Sequence, residues 1–396
     1  MQQAGVRSNR QSLLYVILLM PFLEPLLFKE YPVVDAVFDI AKLLSGFVLV
    51  VIYLYRGRIS TIILLVVSQQ VLLLFSTYIN NGSFSRAIGP ALSVVFVAIW
   101  AELILSNMID ILRGVLFVYG FLVAINALSV LTESAVYVRY TTVYFLGIDN
   151  RFVFYLLPFV CFYIMYSQIK WGKISFGCLL AVIVSTITLL YTWSVAAMIG
   201  MCLVLIYTVL FAKKSLCSVF NSLVYFTAMA GLNLLIVVFH VQNYFAAFLT
   251  DVLHKDITLT NRTPLWDVAF TSISQHPAWG MGVQDLGVAQ MQLLGVGHVH
   301  NLLLNMLYQG GIVSLGIFVV ILFISHRQLY RYRHRLAVSG LAFCIFISMF
   351  LSIFDTLDYS VFYGLLVLGY HAAEIQPKHE PLCPQHRKDE ERGVYG

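Results

Sequence analysis

Residues 297–311 read GHVHNLLLNMLYQGG and place two histidines and an asparagine directly before an apolar helical run. Imidazole and amide groups are costly to bring near lipid, so their position needs a physical reason. Asparagine favours helix N-caps, and the apolar run after it is long enough to cross a bilayer. The stretch therefore predicts a membrane helix with polar side chains gathered at its mouth.

The whole chain has the composition of a membrane protein. Its 396 residues are 60% hydrophobic and only 11% charged, with a mean hydropathy of +0.86. A soluble protein of this size would carry about twice as much charge. Hydropathy predicts about twelve spans, and the first lacks a small-residue cleavage site, so we expect it to be retained. The predicted spans lie near 11–28, 33–55, 60–79, 87–109, 112–132, 152–168, 174–191, 193–212, 220–240, 300–324, 336–354 and 357–373.

The distribution of positive charge predicts the orientation. With the N-terminus inside, most cations fall on cytoplasmic loops or tails, as the positive-inside rule requires. The inside set is Arg7, Arg10, Arg56, Arg58, Arg113, Lys170, Lys173, Lys213, Lys214, Arg327, Arg331, Arg333, Arg335, Lys378, Arg387, Lys388 and Arg392. The outside set is Lys29, Arg86, Arg139, Arg151, Lys255 and Arg262. Both termini are therefore predicted to be cytoplasmic, and none of the six cysteines falls in a predicted outer loop.

The predicted fold is an all-α polytopic membrane protein of about twelve transmembrane helices with one long outer loop. Residues 1–240 would hold nine spans, 241–299 the long outer loop and 300–373 three further spans. The charged tail, 374–396, is expected to be cytoplasmic and disordered. Loops as long as 241–299 are usually functional.

The long loop contains a predicted amphipathic helix within TNRTPLWDVAFTSISQHPAWGMG, residues 260–282. Thr263 would cap it, Pro264 would occupy its first position and the pair His276-Pro277 would end it. One apolar stripe of this helix would lie against the bundle or the outer interface. The stripe consists of Leu265, Trp266, Ala269, Phe270 and Ile273.

Three outward arginines could bind an anion. The planar guanidinium fork of Arg151, Arg262 or Arg86 fits phosphate oxygens. Each could instead extend to lipid headgroups, which is the favoured interpretation for Arg86. For Arg151 and Arg262 the two interpretations stay open.

The histidine pair admits a catalytic and a structural interpretation. Histidine as a residue type titrates near neutrality, so His300 could take a proton from a hydroxyl group, with Asn301 orienting a polar partner. Alternatively, the cluster caps the helix and satisfies free N–H groups. A metal site at His298 and His300 is not expected, because two ligands without a cysteine or a nearby acid do not make a zinc site.

Charged residues within the predicted spans are a second possible functional signal. Lys42, in the outer half of the second span, could line an outward cavity or pair with Asp39 one turn away. Glu24, Asp35 and Glu102 also lie in or near predicted spans.

The chain resembles the O-antigen ligase and Wzy-type polysaccharide polymerase family. Three stretches carry this resemblance: NRTPLWDVAFTSISQHPAWGMG, HNLLLNMLYQGGIVSLG and DNRFVFYLLP. The first looks like the family's Arg–Trp–Pro–Gly–x–Gly pattern, the second like its His-Asn helix with a glycine-rich turn, and the third like its upstream arginine segment. Two departures are Ser314 in place of a usual glycine, and Gln309 with Gly310 in place of an acidic residue.

The resemblance implies a glycosyltransferase on the outer face of the bacterial cytoplasmic (inner) membrane. Its donor would be an oligosaccharide on undecaprenyl diphosphate. The predicted outer loops contain no DxD pair to hold a divalent ion, so we expect a metal-independent reaction without a cofactor. A chain-length regulator and a flippase are candidate partners, and no nucleic acid is expected. The implied catalytic residues are His300, Arg262 and Arg151, and the implied substrate-binding residues are Asn301, His298, Arg86, Lys42 and Trp266.

Among the possible activities, polymerisation of repeat units into an O-antigen or capsule is favoured, because YQGGIVSLG looks more like the polymerases. A ligase that transfers the glycan to lipid A core or to protein would use similar groups. A transporter of lipid-linked oligosaccharides would need a polar path across the membrane. A scaffold of an envelope assembly would tolerate replacement of His300 and Arg262.

Overall fold

The computed structural model describes residues 2–138, 141–148, 151–192, 194–245, 250–251, 262–354 and 359–375. Within these ranges most residues are helical, which confirms the all-α class. The helices are α1 (Gln2–Leu19), α2 (Pro32–Tyr55), α3 (Thr61–Ile79), α4 (Phe84–Leu103), α5 (Met108–Leu131), α6 (Val153–Trp171), α7 (Phe176–Tyr191), α8 (Val195–Ile206), α9 (Ser222–Asn233), α10 (Arg262–Gln275), α11 (Leu286–Gln292), α12 (Leu302–Arg331), α13 (Leu336–Leu351) and α14 (Tyr359–Tyr370). Strands β1 (Val136–Val138) and β2 (Thr141–Val143) form an antiparallel pair after α5.

Each predicted span overlaps one of these helices. In the described part of the chain, five helical stretches are long and apolar enough to cross a membrane. These are Pro32–Tyr55, Thr61–Ile79, Phe84–Leu131, Val153–Trp171 and Leu302–Arg331. Six shorter apolar helices accompany them, so the number of spans stays a prediction. Predictions for the tail from residue 376 onward lie outside the described residues.

The centre of the bundle is built from helices that are apolar on every side. α13 is buried along almost its whole length and packs against α6, α9 and α14. α14 packs against α4 and α12, and α3 packs against the same two helices. α2 instead keeps most of its apolar side chains exposed, as expected for a helix that faces lipid.

α12 is broken at Gly311, whose backbone angles are φ 63° and ψ −168°. The break frees backbone groups that an uninterrupted helix would pair internally. The segment after α10 pairs with them: Ile312 donates its N–H to the Pro277 carbonyl at 2.9 Å, and Met281 donates to the Tyr308 carbonyl at 2.7 Å. Irregular backbone at membrane depth is tolerated only where protein satisfies it, and here the outer loop does so.

α3 holds this crossing from the other side. The Ser76 hydroxyl donates to the carbonyl oxygens of Trp279 and Gln309, and the Asn80 amide donates to the Gly280 carbonyl at 3.0 Å. A Cβ on Gly280 would lie 2.6 Å from the Gly311 nitrogen. The Gly-x-Gly and Gly-Gly stretches are therefore needed because two backbones meet there without room for side chains.

We expect Gly311→Ala to destabilise the fold by at least about 2 kcal/mol, because this backbone region is almost reserved for glycine and the new Cβ would lie 2.2 Å from the Ala278 carbonyl oxygen. The matched control is Gly316→Ala on the same helix, where a Cβ meets nothing within 4 Å. Thermal unfolding of both variants in detergent tests this. Equal unfolding temperatures would contradict the close packing of the segment after α10 against α12 at Gly311.

A cluster of polar side chains links α2, α4 and the end of α14 near the C-terminal end of α4. His371 follows α14, and its ring nitrogens lie 3.5 Å from a Glu102 carboxylate oxygen and 2.8 Å from one of Glu374. The Tyr53 hydroxyl donates to the Glu102 carboxylate at 3.2 Å, and Ser60 also donates to it. Burial lowers the pKa of His371, but the two carboxylates outweigh burial and raise this pKa above its usual value.

His371→Gln should change the pH dependence of stability. Because the pKa of His371 is raised in the folded state, its protonated ring stabilises the folded protein. This stabilisation is fully present below about pH 6.5, the unfolded value, and is lost as the pH rises through the folded pKa. The wild type should therefore exceed the variant in unfolding temperature most at pH 6, with the gap narrowing toward pH 9. The exposed His276→Gln is the control, and a gap that stays constant with pH would refute the assignment.

Candidate functional site

A cavity of about 240 Å³ lies between α3, α4, α12 and α14 and is bordered by the segments on either side of α11. Along α4 it extends over two helical turns, roughly 12 Å from Arg86 to Val94. Its lining comprises Gln69, Gln70, Leu73, Arg86, Ala87, Pro90, Ala91, Val94, Val283, Gln284, Ala289, Gly297, His298, Asn305, Met306, Tyr308, Gln309, Ser314 and Tyr363. The cavity is thus partly apolar, along α4, and partly polar, along α3 and the loop.

The charge of the lining is positive. Arg86 is its charged residue, and no carboxylate occurs among the described residues that line it. One Arg86 nitrogen donates to the Gln284 carbonyl, which fixes the side chain across the gap between α4 and the loop. A guanidinium with further donors available suits an anionic group such as a phosphate.

Two glutamines of α3 form the deep polar wall. The Gln69 amide donates to the Ser314 carbonyl at 3.2 Å, and the Tyr363 hydroxyl donates to the Gln69 side-chain oxygen. Gln70 beside it is buried and also lines the cavity. Sequence reasoning missed this pair, although two adjacent amides in an apolar span were an available signal.

The two histidines of the opening stretch are in contact. Their ring centroids are 4.0 Å apart, with 45° between the ring planes. His298 lines the cavity, whereas His300 is half-buried and is not among the lining residues. His300 has a φ of 53°, a conformation that is uncommon for a residue with a side chain.

Neighbouring groups hold this histidine segment on both sides. The indole of Trp266 is fully buried, and its N–H donates to the Val299 carbonyl at 3.2 Å. The Val299 N–H donates in turn to the Asn305 side-chain oxygen at 3.5 Å. α10, which packs against α12, therefore positions the histidines through Trp266.

Asn301 has a structural position. It is 1% exposed, and its side-chain oxygen accepts from the Leu304 N–H at 2.9 Å, which is the N-cap bond of α12. Its amide nitrogen donates to the Asn233 side chain at 3.1 Å and to the Ile353 carbonyl at 3.3 Å. The capping alternative considered from the sequence is therefore present, and these contacts account for the amide's position.

The predicted loop helix is observed, with a small shift at its start. α10 begins at Arg262, so Thr263 lies inside the helix instead of capping it. It ends at Gln275, directly before the predicted His276-Pro277 stop. Arg262 is half-buried and lies one turn from Trp266, so both project from the same face of α10.

Arg151 and Lys42 lie outside the cavity lining. Arg151 is exposed just before α6, a helix that packs against α5, α7 and α13. The Lys42 ammonium group lies 2.7 Å from a Glu24 carboxylate oxygen and 2.9 Å from one of Asp39. The pairing with Asp39 weighed from the sequence is therefore present, and Glu24, which is 4% exposed, is a second partner.

The segment from α10 to α12 contributes residues to the cavity, contains the histidine pair and contains the break at Gly311. Residues 180–319 match the O-antigen ligase family. This match confirms the family resemblance, and two of the three stretches that indicated it, 261–282 and 300–316, lie inside the matched residues. The third stretch, 149–158, lies outside them. No curated protein matches the chain.

The O-antigen ligase match covers roughly a third of the chain and divides the candidate residues. Arg262, Trp266, His298, His300 and Asn301 lie inside it. Arg86, Arg151, Lys42 and the cavity walls from α3, α4 and α14 lie outside it. Together with the apolar helices, the match supports a multi-pass membrane protein.

Two substitutions of Asn301 should distinguish the stabilisation from its N-cap bond from the stabilisation from its other hydrogen bonds. Asn301→Ala loses the cap and leaves the buried Ile353 carbonyl and the half-buried Asn233 oxygen without their donor, so we expect a loss of about 2–4 kcal/mol in unfolding free energy. Asn301→Ser keeps a capping oxygen and should recover about 1 kcal/mol of that loss. Chemical unfolding in mixed micelles measures the difference. A serine variant no more stable than the alanine variant would refute the cap.

Proposed function

We propose that this protein is a glycosyltransferase that polymerises lipid-linked oligosaccharide repeat units on the outer face of the cytoplasmic membrane. The observation that carries the proposal is the cavity that brings Arg86 and His298 together beside the histidine segment of the matched region. Its lining offers a cation for a phosphate group, imidazole for a hydroxyl and an apolar wall for a lipid chain. These are the groups that an undecaprenyl-diphosphate-linked glycan would need.

The proposed chemistry is a single displacement without a metal ion. The acceptor sugar hydroxyl attacks the anomeric carbon of the donor, and the diphosphate leaves with the electron pair of the broken C–O bond. A base must take the hydroxyl proton, and His300 is the proposed base. Cations must bind the leaving diphosphate and stabilise its negative charge.

Arg262 and Arg151 are the proposed diphosphate ligands, with Arg86 as a third cation at the cavity. The case is stronger for Arg262, because it shares a helix face with Trp266, which holds the histidine segment. Arg86 is supported by its place in the cavity lining. Arg151 rests on the sequence resemblance alone.

The remaining predicted substrate residues take supporting roles in the proposal. Trp266 and Asn301 position the histidine segment through their hydrogen bonds. His298 faces the substrate. Lys42 would act only if a substrate displaced its carboxylate partners, so it contributes least.

The polymerase form of the proposal rests on the glycine-rich YQGGIVSLG segment. A ligase would use the same donor and differ only in its acceptor, the lipid A core or a protein. A flippase that delivers the donor and a regulator that limits chain length would be the working partners of the polymerase.

The test is a transfer reaction with the purified protein in lipid vesicles and lipid-linked repeat units as both donor and acceptor. Wild type should give a ladder of longer glycans on a gel. His300→Ala and Arg262→Ala should lower the rate by about 100-fold or more, because each removes a group that acts in the transition state. The matched controls are His276→Ala and Arg327→Ala, which replace exposed residues of the same types.

The acceptor decides between the alternatives. Products that form only when lipid A core is added would replace the polymerase with a ligase. No transfer to any acceptor, from protein that unfolds cooperatively, would refute the glycosyltransferase. Full activity in both active-site variants would refute the assigned residues.

A further inference from the structure

We propose that His298 and His300 act as one proton-accepting pair, in which His298 contacts the acceptor hydroxyl and the ring of His300 packs against the ring of His298. This inference rests on the proposed glycosyl transfer and changes its chemistry. His300 is then no longer the lone base. His298 becomes a catalytic residue of the site.

The position of the rings carries the first step. His298 is in the cavity lining and His300 is not, so a substrate in the cavity meets His298 first. The ring centroids are 4.0 Å apart, which is direct contact. A proton accepted by His298 therefore lies beside a second imidazole.

The backbone carries the second step. His300 has a φ of 53°, which costs free energy for a residue with a side chain. The residue before it is held by Trp266 and Asn305, and the residue after it is the cap of α12. Strained backbone persists where its surroundings determine it on both sides, and here that strain places one imidazole against another.

The charge balance carries the third step. Two imidazoles in contact resist double protonation, because like charges repel. The guanidinium of Arg86, from α4, faces the same cavity and disfavours a second positive charge further. The other titratable groups in the described lining are the hydroxyls of Tyr308 on α12 and Tyr363 on α14, which are neutral near pH 7. Repulsion within the pair and from Arg86 therefore disfavours a second proton, which favours keeping one imidazole neutral as the base.

Each proton and electron pair in the proposed reaction can be accounted for. The acceptor hydroxyl loses its proton to the neutral imidazole of His298 as its oxygen bonds to the anomeric carbon. The bond between that carbon and the diphosphate oxygen breaks, and its electrons leave with the diphosphate. The pair then releases the proton to water or to the departing diphosphate, and the neutral base is restored.

The test is the pH dependence of the transfer rate for wild type, His298→Gln and His300→Gln. Removing either imidazole removes its like-charge repulsion on the other, so the acidic limb of the profile should move up by about 0.7 pH unit or more. His298→Gln should also lower kcat by about 1,000-fold, more than His300→Gln does. His276→Gln, at the exposed end of α10, should leave the profile unchanged.

The double variant separates a pair from two independent residues. If the imidazoles act as a unit, His298→Gln/His300→Gln should be no slower than the worse single variant. If His298→Gln does not fold, the shifted limb of His300→Gln provides the same test, since His298 then lacks the neighbouring imidazole. An unshifted limb in the folded variants overturns the pair.

The outcomes distinguish this inference from the proposed function. An active wild type whose rate falls in His300→Gln alone, with His298→Gln unchanged in rate and profile, leaves the glycosyltransferase standing and refutes the pair. A wild type that transfers to no acceptor refutes both.

Discussion

The structure depends on the break in α12 at Gly311 and on the backbone that fills it. A helix interrupted near lipid leaves amide and carbonyl groups that no water can satisfy. Here the Pro277–Gly282 segment accepts and donates those hydrogen bonds, and α3 secures the crossing through Ser76 and Asn80. The long outer loop is therefore part of the bundle, because the broken helix would be unstable without it.

This constraint also positions the candidate site. Because the loop is held to α12 after α10, α10 must lie against the same helix, and its Trp266 contacts the residue between the two histidines. Asn301 then caps α12 immediately after the second histidine. The His298–His300 segment is thus held by Trp266, Asn305 and the cap at Asn301. Fixed geometry of this kind is what proton transfer from a particular hydroxyl to an imidazole requires.

Among the described residues, two clusters contain paired opposite charges, and the cavity lining contains a cation without a carboxylate. Lys42 neutralises carboxylates among Glu24, Asp35 and Asp39, whose oxygens lie within 4.8 Å of one another. His371 is enclosed by Glu102 and Glu374 beyond the far end of α4. Around the cavity, by contrast, Arg86 is the charged residue and no carboxylate occurs among the described lining residues, so the lining carries a positive charge.

The sequence by itself determined the features that depend on local pattern. Hydropathy located a helix at every predicted span, His276-Pro277 marked the end of α10, and Asn301 was recognisable as a cap. Only the tertiary structure decided which side chains meet. Glu24 reaches Lys42 across 18 positions, Gln69 reaches Ser314 from another helix, and His298 instead of His300 lines the cavity. Such pairings depend on the rotation of each helix about its axis and on the path of the loop. Both are fixed by packing between distant segments, which the periodicity of one segment does not encode.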